Sequence, residues 1–73
     1  MLSLLETVNI KDGQYRSNLY KGCNVLIVKK KDQKTGILTK GVVDRLLTKK
    51  RYHSRGIKVI FSDGTVGRVQ KII

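Results

Sequence analysis

Proline is missing from the 73-residue chain, as is tryptophan, and cysteine, histidine and phenylalanine each occur once. Each shortage excludes something. Without proline, turns cannot lean on a locked φ and fall to the seven glycines and to Asp, Asn and Ser. One cysteine rules out an internal disulfide, and one cysteine with one histidine is short of any structural zinc set. A domain of this size lies near the lower limit for folding on a hydrophobic core alone, so that core has to hold the fold. Long apolar runs are missing too. Nothing approaches the ~20 residues that span a bilayer, and the opening MLSLLETVNI lacks the basic region and small-residue cleavage site of a secretory leader. The expectation is a soluble, cytoplasmic, single-domain protein with no membrane partner.

Acid is also scarce: 5 Asp and Glu stand against 16 Lys and Arg, a formal charge of +11. An excess of that size on so small a chain favours polyanions, nucleic acid first.

What is present reads as short strands. Residues 1–14 form an N-terminal arm, in which Ser3 and Glu6 have capping-box spacing and Leu4, Leu5 and Val8 line one side of a possible helical turn, before a turn at Asp12 and Gly13. Residues 15–73 form the domain proper. From Leu19 onward Val and Ile dominate runs of four to eight residues between Gly, Asp, Ser or Lys-rich breaks. In NVLIVKK, Asn24, Leu26 and Val28 alternate with Val25 and Ile27, a pattern expected to be buried on more than one side. LTKGVVDRLLT follows, with Gly41 where a bent strand can use a residue lacking Cβ. GIKVIF sets Ile57, Val59 and Phe61 on one face; Asp63 and Gly64 of SDGT suit the positive φ angles of a hairpin; VGRVQKII closes the chain. Four to five such strands without a long helix predict an all-β fold, a small closed antiparallel barrel that leaves no exposed edge.

KKKDQKTGILTKGVV, LLT, HSRGIKV and DGTVGRVQKI, in this order and spacing, resemble the YwbE-like family of small bacterial and archaeal proteins, over roughly Arg16 to Ile72. Members commonly carry a proline after the histidine of the loop, where this chain has Ser54, so the resemblance does not transfer the shape of that loop. Gly22 to Val25 and Gly41 to Val43 also look like the KOW or SH3-like barrels of ribosomal proteins and transcription factors, which implies an SH3-like barrel.

Catalysis needs a positioned acid, base or nucleophile, and the candidates form no constellation. Asp32 sits among lysines, Asp44 beside Arg45 and Asp63 in a turn, while Cys23 at the entry to the first strand reads as a small buried hydrophobe. The chain reads as a non-enzyme with no cofactor, metal or small-molecule substrate.

The basic residues are more informative. Lys29, Lys30, Lys31 and Lys34 cluster after the first strand around Gln33; Lys49, Lys50, Arg51 and Arg55 cluster after the second around Tyr52 and His53; Lys40, Lys58 and Arg68 fall on strands. Tyr52 and His53 offer flat faces to an unpaired base among phosphate-neutralising cations. In the DQKTG segment Asp32 and Thr35 can bond nearby backbone N–H groups and Gly36 can take a positive φ, so the lysines around Gln33 sit on an ordered turn. In a small barrel these two loops leave from opposite ends, so one shared surface is not given by the sequence. The expected partner is nucleic acid, RNA ahead of DNA, with the ribosome one candidate setting. The alternative is an SH3-like module for an acidic protein, although three tyrosines and one phenylalanine make a poor aromatic groove.

Overall fold

The computed structural model describes residues 12–73, so the capping-box and apolar pattern of Ser3 to Val8 lies outside the described residues. Four strands follow in chain order: β1 (Asn24–Val28), β2 (Leu38–Leu46), β3 (Lys58–Phe61) and β4 (Val66–Ile72), with 3₁₀ turns at Arg16–Asn18 and Lys30–Asp32. Each strand runs antiparallel to the next, and β1 also pairs with β4, which closes the sheet. Closure gives each strand two partners and removes the unpaired edge that a sheet this small would otherwise expose. The result is the small closed antiparallel barrel expected from the strand pattern, SH3-like as the resemblance implied.

The core is the inward face of that barrel. Val25, Ile27, Val43, Ile57, Val59 and Val69 are sealed from solvent, joined by Leu19, Cys23 and Phe61. Branched side chains suit such an interior because they lose little rotamer freedom on a pleated strand. The alternation of Ile57, Val59 and Phe61 holds as expected. That of β1 is corrected: Val25 and Ile27 are buried, but Leu26 and Val28 are only half-buried and Asn24 is exposed. A barrel of one layer has a single inside, so a strand cannot be enclosed on both faces unless another layer covers it.

Strand β2 pairs with β1 through Val42 and with β3 from Val43 onward, and its register slips between Val43 and Arg45. Gly41, just before the change of partner, has a steric reason to lack Cβ: one built there would lie 2.1 Å from the Phe61 ring. Phe61 therefore fills space that any other residue at position 41 would contest. Between β3 and β4 the turn is tight, but only Gly64 takes a positive φ, of 91°; Asp63 does not. Gly64 N–H donates to Phe61 O (3.0 Å) and Phe61 N–H to Thr65 O (2.8 Å), a hairpin in which one left-handed glycine follows the turn. Asp63 contributes through its carboxylate, which accepts from Thr65 N–H at 2.9 Å.

The long connection between β2 and β3 is tied down rather than loose. Tyr15 and Tyr52 form an isolated antiparallel bridge. Around it, Arg16 N–H donates to Arg51 O (2.8 Å), His53 N–H to Gln14 O (2.9 Å) and Ile57 N–H to Gly13 O (2.9 Å). Residues 13–16 thus pair with the connection as a short extra ribbon, and Gly13 and Gln14 of the arm are bonded into it.

Candidate nucleic-acid interface

Strand alternation sends every second residue outward, and the register decides which outward residues meet. Leu38 of β2 lies opposite Val28 of β1, Val28 opposite Arg68 of β4, and Arg68 opposite Lys58 of β3. These four form one row across the whole barrel, with two apolar members and two cations. One step along β1, Leu26 stands between Lys40 of β2 and Lys71 of β4. Lys40 and Lys58 are exposed, while Arg68 is half-buried.

The turn after β1 folds over one side of this row. Gly36 takes φ of 76°, its N–H donates to Asp32 O (2.8 Å), and the Thr35 hydroxyl donates to the same carbonyl (3.2 Å). The turn is ordered as expected, but through the Asp32 carbonyl, while Thr35 alone accepts a backbone N–H, that of Ile37 at 3.5 Å. Gln33 and Lys30 face the row from this turn and help line two shallow adjoining grooves of about 410 Å³ and 440 Å³.

The connection between β2 and β3 reaches the same place from the other end of the barrel. The Arg68 guanidinium donates to Gly56 O (3.2 Å), the Gln70 side-chain amide to Arg55 O (3.0 Å), and Val69 N–H to Ile57 O (2.9 Å). These bonds lay residues 55–57 along β4, so that Arg55 lines the first groove beside Gln33, Leu38 and Arg68. The second groove adds Lys30 and Lys58 around the shared Val28, Gln33 and Arg68. No acid lines either groove among the described residues.

His53 links the groove to the rest of the connection. Its Nδ1 accepts from Arg55 N–H at 3.1 Å, which leaves the proton of the neutral ring on Nε2. Partial removal from water, then the positive charges of Arg68, Arg55 and Lys50, hold its pKa below the ordinary value of 6.5. Asp63 is also lowered, by a different cause: hydrogen bonds from Thr65 hold its carboxyl below the ordinary 3.8, with Lys29 contributing a smaller attraction.

The expected site residues therefore separate. Lys30, Gln33, Arg55, Lys58 and Arg68 come together; Lys40 lies on the outward face, lining a third depression with Phe61 and Asp63. Lys31, Lys34, Lys49, Lys50 and Arg51 are exposed on the two loops outside the groove linings, and Lys29 is felt by the β3–β4 turn. Tyr52 packs on Tyr15, with ring centroids 5.1 Å apart. Sequence reasoning missed Val28 and Leu38 as groove floor, Gln70 as the brace for Arg55, and Lys71 on the outward face. The GRVQ segment alternates, which marks Arg68 and Gln70 as companions, but a register shift between Leu26 and Ile27 opposite Gln70 is not visible in a pattern of period two.

Residues 12–72 match the model of a family described as an uncharacterized conserved protein, DUF2196. The chain belongs to that family. Within it, "Uncharacterized protein YwbE" of Bacillus subtilis (strain 168) is 52% identical over 62 residues, covering 85% of this chain and 95% of that protein. The YwbE-like resemblance is thus borne out. No solved structure gives a significant match. Among the described residues no helix is long and apolar enough to cross a membrane, and no group of His, Cys, Asp or Glu is placed to hold a metal ion.

Proposed function

We propose that this family member is a nucleic-acid-binding barrel, RNA ahead of DNA, acting through phosphate contacts along the groove of β4. The observation that carries the reading is the convergence of Lys30, Arg55, Lys58 and Arg68, from both loops and two strands, on adjoining grooves without an acid. Cations on separate loops give diffuse attraction, whereas cations held along adjoining grooves can follow one backbone. RNA is placed first because its unpaired loops and ends present base faces and edges. The groove supplies an apolar floor from Val28 and Leu38 and an exposed amide in Gln33. The remaining lysines of the first turn, Lys29, Lys31 and Lys34, add long-range attraction without lining the groove.

The test is binding of the nuclease-treated protein to labelled single-stranded RNA, duplex RNA and duplex DNA over a salt series. Each phosphate contact adds about 0.7 to the salt slope on single strands, so four give a slope of about −3. Lys30→Ala with Lys58→Ala is expected to reduce it by about 1.4. Loss of all binding at ~0.15 M salt, where the screening length is about 8 Å, would overturn the reading. Recovery of a single acidic protein after nuclease treatment would then put the protein-interaction module in its place.

A further inference from the structure

The chain has four aromatic residues, and its core uses only Phe61. All three tyrosines are exposed: Tyr15 at 43%, Tyr52 at 46% and Tyr20 at 65%. Two of them are held together. The antiparallel bridge between Tyr15 and Tyr52 fixes their backbones, and the rings touch at a centroid distance of 5.1 Å with planes tilted by 53°. A pair that served only to glue the ribbon of residues 13–16 to the β2–β3 connection would gain most by being covered, yet nearly half of each residue's surface remains open to solvent.

Cations flank the pair on both strands of the ribbon. Arg16 follows Tyr15 and its Nε donates to Thr48 O at 3.0 Å, which restrains that guanidinium beside the connection. Arg51 precedes Tyr52, with its backbone carbonyl held by Arg16 N–H, and Lys49 and Lys50 come just before it. From Tyr52 the chain needs three residues to reach Arg55 in the groove, at most about 10 Å even if extended. His53 spans that interval, neutral at physiological pH and near enough to feel both Lys50 and Arg68.

We propose that the Tyr15–Tyr52 pair is a stacking site for an unpaired nucleobase, so that the ligand of the barrel is single-stranded nucleic acid entering the groove from this ribbon. The inference rests on the phosphate-binding reading of the groove and adds to it the strand state of the ligand. A tilted pair leaves ring surface facing outward, and every base has a π-face, so the site selects unpaired bases without selecting sequence. The neighbouring cations then meet the phosphates on either side of the stacked nucleotide. A duplex keeps its bases stacked on each other and has none to give.

The chain's lack of tryptophan makes tyrosine fluorescence a direct probe. The wild-type protein is titrated at ~0.15 M salt with a single-stranded oligouridylate, an abasic oligonucleotide of equal length, and duplex RNA. Expected are quenching by the oligouridylate and tighter binding of it than of the other two. Tyr52→Leu and Tyr15→Leu are expected to lose on the order of ten- to a hundredfold in affinity for the oligouridylate. They are expected to leave abasic binding and the salt slope unchanged, which also reports that each variant is folded. Tyr52→Phe keeps the ring and is expected to bind like wild type. Equal affinity for oligouridylate and abasic strand, or an unchanged affinity in both leucine variants, would overturn stacking while leaving the phosphate groove intact. Absence of binding to any of the three ligands would remove the groove and the stacking site together.

Discussion

His53 is the chain's one imidazole, and its place between Arg55, Arg68 and Lys50 makes it a reporter of the groove. Its pKa in the folded protein lies below the ordinary 6.5, so the unfolded chain takes up the proton more readily. Its contribution to stability is therefore complete above the unfolded value and lost as pH falls through about 6.5, levelling off below the folded pKa. Asp63, also lowered, acts in a separate window: its contribution is present above 3.8 and lost on further acidification. His53→Gln is expected to flatten the dependence of the urea midpoint on pH between about 7.5 and 5. An unchanged slope in that interval would show that neither removal from water nor the cationic neighbours lowers the pKa of the ring.

At the scale of elements, the ribbon of residues 13–16 on the β2–β3 connection has the most consequence for the proposed site. It turns a loop that composition marks only as basic into an ordered support for Tyr52 and Arg55. Amide exchange tests this: the N–H groups of Arg16, His53 and Ile57, bonded at 2.8, 2.9 and 2.9 Å, are expected to exchange as slowly as strand amides. Exchange at the rate of an open loop would show the ribbon to be frayed. The strands themselves were legible because Val and Ile recur with period two, and the ordered first turn was legible in Thr35 and Gly36. The ribbon was not. Gly13 to Arg16 and Arg51 to Arg55 carry no apolar alternation, and their pairing depends on a contact nearly forty residues away in the chain.

For the molecule as a whole, stability rests on one small interior. With about 0.05–0.15 kcal/mol per residue, a domain of this length has roughly 4–11 kcal/mol in total. Ile27, at 0% exposure, meets the core from β1. Ile27→Ala is expected to cost about 2–5 kcal/mol, while Ile27→Val costs about 0.5–1.5 kcal/mol. Chemical denaturation followed by far-UV circular dichroism would read both; a cost below about 1 kcal/mol for the alanine variant would mean that the barrel collapses around the gap.

Composition and local pattern by themselves determined the all-β class, the closed barrel, the buried face of β3, the glycine turns and the strong positive charge, because each depends on residues adjacent in the chain or on a sum over it. They also carried the family, through motifs in fixed order. Which cations lie near one another was decided only by tertiary structure. Lys30 and Arg55 belong to loops at opposite ends of the barrel, and nothing local to either shows that they line adjoining grooves. Bonds from Arg68 and Gln70 to the backbone of residues 55 and 56 lay the second loop along β4, and register alone sets Val28 and Arg68 side by side. Long-range pairing has no signature in a single sequence, since any one strand is compatible with several partners, and closure of the whole barrel selects among them.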